Sequence, residues 1–166
     1  MGDPKRIDLV QWKDLMRRLR FTGADLTERD ATLCFMASRM LVIDSHTEKG
    51  KKKCESIRLE DFLEAMCHVA TLKALPTEEE VASSGCADAG EYLIKLETEH
   101  PMKLQQLERE RGIPWGEDVW NGDMVSFAKR LDMVICLMLR TIEEGTAGSD
   151  DLMVKAAEVT QFFQNT

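Results

Sequence analysis

The residues that most often carry catalysis or bind metals are present in this chain, but their spacing does not match a known kind of site. His46, His68 and His100 stand far apart, and none has a cysteine or second histidine at zinc-binding spacing. The lysine-rich run 48–53 lacks the earlier glycine and the closing Ser or Thr of a phosphate-binding loop. We therefore expect neither a zinc site nor a phosphate-binding loop.

The acidic run Glu78-Glu79-Glu80 is the remaining candidate for acid–base chemistry. It follows Pro76 and Thr77, which stop one helix and begin another. Thr77 and Glu80 have the spacing of a capping box, and carboxylates in a first turn complement the helix dipole. We interpret the run as a helix start and predict that the protein is not an enzyme. A site assembled from distant residues stays open as an alternative.

A fixed internal period organises the first half of the chain. Sliding residues 57–70 back by fifty positions places them on residues 7–20, and the match continues from Thr77 onto Thr27. Such a period indicates one supersecondary unit used twice: a short extended piece, a helix, a linker and a capped second helix. The matched pairs are Ile7 and Ile57, Leu9 and Leu59, Trp12 and Phe62, Met16 and Met66, and Leu19 and Val69.

Apolar spacing and capping residues predict an all-α chain. Apart from short extended pieces near Ile7 and Ile57, no stretch alternates over the length of a strand. The segment 44–56 is polar and lysine-rich, and we expect a mobile loop there. Helices are predicted at 8–20, 27–43, 58–73, from 77, at 87–100, from Pro101, at 117–143, and from a cap at Ser149 or Asp150.

The composition is typical of a globular protein whose cysteines stay reduced. Of the 166 residues 43% are hydrophobic and 31% are charged, and no apolar run approaches the roughly 20 residues of a membrane span. The five cysteines are scattered and contain no C-x-x-C pair, which favours free thiols in a cytoplasmic setting. We expect no membrane segment, no cofactor and no structural disulfide.

Charge is unevenly distributed along the chain. The net charge is −8, yet residues 1–76 carry 14 basic against 12 acidic side chains, so residues 77–166 carry the whole excess of acid. An acidic surface repels phosphate backbones, so we expect no nucleic-acid partner. We expect the acidic half to keep the protein dispersed and to influence partner choice.

The repeat resembles the exit halves of EF-hands, in which an isoleucine at loop position 8 pairs with its twin in a short β-bridge. The resemblance implies a half-hand at 5–26, a hand at 27–75, and a degenerate EF-hand-like region over 1–82. Most of the first loop and its entering helix would precede Met1, so a missing helix would be lost or come from elsewhere. The resemblance covers roughly residues 7–80; from helical spacing and charge alone we expect residues 83–166 to form an acidic helical region, a C-terminal bundle portion packed on the first.

The second loop departs from the calcium-binding pattern. With Ile57 at position 8 the loop runs from Gly50 to Asp61, and Lys52 stands at a ligand position. Asp61 is then the one normal ligand, so we predict a calcium-independent fold. The alternative is a calcium sensor whose rearranged loop, 44–61, uses Asp44, Glu48 and Asp61.

The ten methionines suggest an adaptable binding surface, since methionine is flexible and common in grooves that accept amphipathic helices. An ordinary core is the open alternative for these residues. A second patch is expected at Trp115 and Trp120, beside an acidic turn. The candidates for the groove are Trp12, Met16, Met36, Met40, Phe62 and Met66.

The segment 59–70 also resembles degenerate EF-hand-like segments of ciliary and flagellar proteins. The resemblance implies a calmodulin-like helix arrangement used for protein contact in an axonemal or cytoskeletal setting. We therefore predict a non-enzymatic adaptor whose groove binds an amphipathic helix of a protein partner. Self-association is the second way in which its groove would be filled.

Overall fold

The computed structural model of the protein describes residues 6–39, 46–117, 124–146 and 152–164. Within those ranges the regular structure is helical apart from one two-stranded ribbon, which confirms the predicted all-α class. In chain order the elements are β1 (Ile7–Asp8), α1 (Leu9–Arg18), α2 (Glu28–Ser38), α3 (Glu48–Glu55), β2 (Ser56–Ile57), α4 (Leu59–Leu72), α5 (Glu78–Ser84), α6 (Ala89–Glu99), α7 (Pro101–Arg111), α8 (Met124–Thr146) and α9 (Ala156–Gln164).

The fifty-residue period is visible in the fold. Strands β1 and β2 pair antiparallel with Ile7 opposite Ile57, the pairing that the resemblance implies. Helices α1 and α4 then begin at equivalent residues, Leu9 and Leu59. The predicted unit, with a short strand followed by a helix and a capped second helix, is therefore present twice.

Both predicted capping boxes are confirmed. The Thr27 hydroxyl accepts from the Asp30 N–H at 3.2 Å, and the Asp30 carboxylate accepts from the Thr27 N–H at 2.9 Å. Thr77 and Glu80 repeat this arrangement at 3.2 and 2.7 Å. Each box satisfies backbone donors that a helix start leaves unpaired, so α2 and α5 begin at a defined residue.

The segment between the copies differs from the prediction. Residues 48–55, expected as part of a mobile loop, form α3, whose cap is the Thr47 hydroxyl accepting from the Gly50 N–H at 3.0 Å. Lysine and glutamate are good helix formers, and a threonine cap is enough to start the helix. Helix α2 ends at Ser38 instead of Ile43, because Arg39 is extended and its guanidinium donates to the Cys54 carbonyl.

The second half largely follows its start and stop signals. Gly85 ends α5 in the left-handed conformation, with φ of 73°, and Pro101 occupies the first position of α7. The last helix begins at Ala156, later than expected, because Leu152 has φ of 58° and is not helical. The predicted caps Ser149 and Asp150 lie outside the described residues.

One core runs through both predicted regions. Its largest enclosed side chains include Trp12, Phe21 and Phe35 from the first copy, and α8 adds Val134. Helix α8 lies against α4 and very close to α6, where a Cβ at Gly90 would come within 2.6 Å of the α8 backbone. The close α6–α8 approach therefore requires glycine at this position.

Candidate functional site

Three of the predicted groove residues are enclosed in the core. Trp12 and Met16 are fully buried and Met66 is 5% exposed. The Trp12 indole N–H donates to the Ala31 carbonyl at 2.7 Å, so both its ring and its polar edge are satisfied inside the protein. The prediction that these three residues line an open groove is therefore wrong; they hold α1, α2 and α4 together.

The other three candidates have different positions. Phe62 packs edge-on against Trp12, with ring centroids 5.9 Å apart, and its other side faces a groove. Met36 is 47% exposed on α2 and takes no part in that groove, and Met40 lies outside the described residues. Only Phe62 of the described candidates thus lines the open site.

The open site is an apolar groove of about 930 Å³. It lies between the ribbon, α1, the start of α4, the second half of α8 and the segment that includes α9. Leu19, Ile57 and Ile142 are nearly or fully buried, while Leu59 is 67% exposed. The apolar residues that line it are Ile7, Leu15, Leu19, Ile57, Leu59, Phe62, Met138, Leu139, Ile142, Val154, Val159 and Phe163.

Helix α8 forms one wall because two arginines fix it to the rest of the fold. The Arg130 guanidinium donates to the Ala70 carbonyl at 2.9 Å and to the Lys73 carbonyl at the end of α4. Arg140 forms an ion pair of 2.7 Å with Asp88, which caps α6. These contacts hold α8 at two points, so Met138 and Ile142 face α1 across the groove.

Helix α9 forms the opposite edge and is held less firmly. Phe162 packs so closely on α8 that a Cβ at Gly145 would lie 2.6 Å from its ring. Phe163 has its ring 5.9 Å from the Arg18 guanidinium. No residue of α9 is buried, so this edge of the groove is the one with the least packing to restrain it.

The polar residues that line the groove are predominantly basic. They are Arg6, Gln11, Asp14, Arg18 and Arg58. The Asp14 carboxylate is already paired, with Arg18 at 2.6 Å and with Arg17 at 3.2 Å. The groove therefore combines a mostly apolar lining with three arginine side chains.

The candidate calcium ligands are used for other purposes or lie beyond the described chain. Asp61 is 8% exposed, and its carboxylate accepts from the Arg58 N–H at 3.0 Å, which caps α4. Glu48 begins α3, and Asp44 lies outside the described residues. In the ranges that the structure describes, no group of three or more His, Cys, Asp or Glu side chains is arranged to hold a metal ion.

The secondary patch is represented by Trp115, which is 38% exposed. Its ring lies 5.5 Å from that of His68, and it borders a second cavity of about 520 Å³ whose lining mixes acids, bases and apolar residues. Trp120, its predicted companion, lies outside the described residues. The second cavity is smaller and more polar than the groove.

Beside this cavity is a buried charged cluster that sequence patterns did not reveal. The Lys73 ammonium lies 3.0 Å from the Asp25 carboxylate and 3.8 Å from Glu108. Asp25 also accepts from the Ala74 N–H at 2.7 Å, and Glu108 accepts from the Ala24 N–H at 3.0 Å. The cluster ties both copies of the repeat to α7, so we assign it a structural role.

Three of the thiols are poor nucleophiles. Burial raises the pKa of Cys34 to about 12, with Asp30 adding to the effect. Burial also raises the pKa of Cys67 and of Cys136, and neighbouring carboxylates act in the same direction. A thiol with a raised pKa stays protonated near neutral pH, so these cysteines are unsuited to nucleophilic catalysis.

Comparisons with models of known protein families, with curated proteins and with solved structures find no match. Among the described residues, no helix combines the length and the apolar character needed to cross a bilayer.

Proposed function

We propose that this protein is a non-enzymatic interaction module that binds an amphipathic helix of a protein partner in the groove between α1, α4, α8 and α9. The observation that carries the proposal is the predominantly apolar lining of this 930 Å³ groove, in which twelve of the seventeen lining residues are apolar. Helix-in-groove recognition needs an elongated apolar surface that accepts side chains from successive turns of one helix face.

Exposed apolar side chains on α4 and α8, in and beside the groove, support this function. Leu59 is 67% exposed, and Leu63, one turn later on α4, is 56% exposed. On α8, Ile135 is 37% exposed and lies one turn before the groove residue Leu139. Two helices thus present apolar side chains to solvent at helical spacing, next to residues that line the groove, and exposed apolar side chains grouped in this way favour a binding site.

The proposal includes an EF-hand-like fold that works without calcium. The Ile7–Ile57 pairing and the equivalent starts of α1 and α4 support the likeness. Asp61 supports calcium independence, since its carboxylate caps α4. The cytoplasmic setting, in a cilium, a flagellum or the cytoskeleton, comes from the likeness of residues 59–70 and belongs to the same proposal.

A displayed library of amphipathic helical peptides, each roughly 18 residues or five turns long, tests the function. Peptides selected on the protein should carry an apolar face. They should bind Leu59→Gln/Leu139→Gln roughly tenfold or more weakly, because two apolar contacts are removed. Fluorescence anisotropy with the best selected peptide measures the change.

The matched control is Val10→Gln/Met102→Gln, which replaces two residues that are 76% and 75% exposed and lie outside the groove. Its affinity should equal that of the original protein, with calcium or with a chelator. Failure to enrich any peptide, or equal binding to the groove variant, would show that the groove is not a helix site. Binding that requires calcium would support the sensor alternative instead.

A further inference from the structure

The ribbon places two arginines of like charge at one end of the groove. Ile7 lies opposite Ile57 and Asp8 opposite Ser56, so the same antiparallel register brings Arg6 opposite Arg58. Both arginines line the groove. Like charges directly opposite each other destabilise a strand pair, so this juxtaposition has a cost in the free protein.

Among the described residues, no side-chain ion pair neutralises either of these two guanidinium groups. The Arg6 guanidinium donates to the Ser56 hydroxyl at 3.4 Å, a neutral acceptor. Within the part of the chain that the structure describes, neither the Arg6 nor the Arg58 guanidinium forms an ion pair with a carboxylate within 4.0 Å, although the Arg58 backbone N–H donates to Asp61. Asp14, the acidic residue of the groove lining, is engaged by Arg17 and Arg18.

This pair of arginines stands out on an acidic protein. The chain carries a net charge of −8, yet the charged residues of the groove lining are three arginines and one aspartate. A neighbouring carboxylate on a partner would meet two guanidinium groups, and arginine is well suited to bind carboxylates in a planar, bidentate way. A basic partner would be repelled at the same place.

We propose that the groove selects amphipathic helices that carry acidic side chains beside their apolar face, and that Arg6 and Arg58 read those acids. This inference rests on the proposed function, because it concerns the occupant of the same groove. The apolar lining supplies the contact area, whereas the arginine pair supplies the preference between acidic and basic helices.

The peptide selection described above tests this preference separately from binding. Peptides enriched on the original protein should contain more Glu and Asp than the starting library, next to the apolar face. On Arg6→Glu/Arg58→Glu the enrichment should change to Lys and Arg. Apolar enrichment without any acidic excess would overturn the inference but leave the proposed function standing, whereas no enrichment would overturn both.

A neutral variant measures the size of the effect. Arg6→Gln/Arg58→Gln should bind the best acidic peptide roughly tenfold more weakly, and the loss should shrink as salt is raised. The Lys95→Gln/Lys103→Gln variant removes two exposed charges on α6 and α7 and should bind the peptide normally.

Thermal unfolding separates recognition from a structural role. Because like charges are removed from the two residues that flank the strand pair at the same end, Arg6→Gln/Arg58→Gln should keep its Tm or raise it while it loses affinity. A lower Tm together with weaker binding would mean that the arginines support the ribbon, and it would overturn the inference. If the protein instead forms a dimer through the groove, and this dimer no longer binds the peptide, the occupant of the groove is a second copy of the chain. That result would also overturn the inference.

Discussion

Trp12 and Phe62 occupy equivalent positions in the two copies of the repeat, but their surroundings differ. Trp12 is fully enclosed and its indole donates to Ala31, whereas Phe62 is half-buried and faces the groove. The same local unit therefore provides core in the first copy and a binding wall in the second. Whether the unit is buried in the core or lines the groove depends on which other helices pack on it.

The linkers that follow α1 and α4 also carry different side chains at matched positions. In the first copy the chain places Gly23 and Asp25, and in the second it places Lys73 and Leu75 at the equivalent positions. Asp25 and Lys73 form a buried ion pair across the copies. Asp25 and Lys73 stand at different positions of the repeat, since Leu75 matches Asp25 and Gly23 matches Lys73, and their pairing joins the two units into one body.

The largest effect should come from breaking this joint. Lys73→Met leaves the enclosed Asp25 and Glu108 carboxylates without their cation, and loss of one partner of a buried pair costs about 3 kcal/mol of unfolding free energy. Urea unfolding measures the loss. Asp25→Asn/Lys73→Met should recover part of it, because the uncompensated charge is reduced.

Lys13→Met is the matched change in the first copy. Lys13 lies 3.9 Å from Glu28 at the surface, and exposed pairs contribute less than about 1 kcal/mol. Equal losses for Lys13→Met and Lys73→Met would contradict the distinction between a surface pair and a joint between the copies.

A smaller loss of unfolding free energy is expected when the second capping box, which Arg111 contacts, is changed at Glu80. Glu80 is held by two hydrogen bonds from Arg111 at 2.6 and 2.7 Å, and this contact, aided by the Thr77 N–H, lowers its pKa to about 2. Both side chains are about one third exposed, so solvent screening limits the loss in Glu80→Gln to about 1 kcal/mol at neutral pH.

The pH dependence has a defined sign. A carboxylate whose pKa falls on folding stabilises the native state above its unfolded pKa, near 4.5, and this stabilisation is lost as the pH falls towards 2. The difference in unfolding free energy between the original protein and Glu80→Gln should therefore vanish between pH 4.5 and 2. Asp30→Asn is the equivalent change in the first copy. When it is present in both proteins, the difference in unfolding free energy caused by Glu80→Gln should keep the same dependence on pH.

Local features of the fold were predictable because their causes are local. The Thr27 and Thr77 caps and the Pro101 start of α7 follow from residue type and short spacing, whereas the Ile7–Ile57 pairing was expected from the EF-hand resemblance. Helix α3 was missed because its polar, lysine-rich composition resembles that of a loop. A helix with little apolar content leaves no amphipathic pattern to recognise.

The position of the groove was not predictable from the repeat alone. The apolar stripes of α1 and α4 show which residues avoid water, but not which of them α8 covers. That depends on Arg130, which donates to carbonyls at the end of α4, and on Gly90, which lets α6 approach α8. Both contacts join residues far apart in the chain, so Met138 and Leu139 entered the site only through tertiary packing.

The claim that the groove is the partner site is best tested by NMR. The methionine methyl groups are labelled with carbon-13, and their signals are followed as the best selected peptide is added. Met138 lines the groove, whereas Met16 is enclosed in the first copy and Met36 and Met102 are exposed elsewhere. The Met138 signal should shift the most, with Met16, Met36 and Met102 nearly unchanged. A shift centred on Met36 or Met102, with Met138 unmoved, would contradict the assignment of the groove as the partner site.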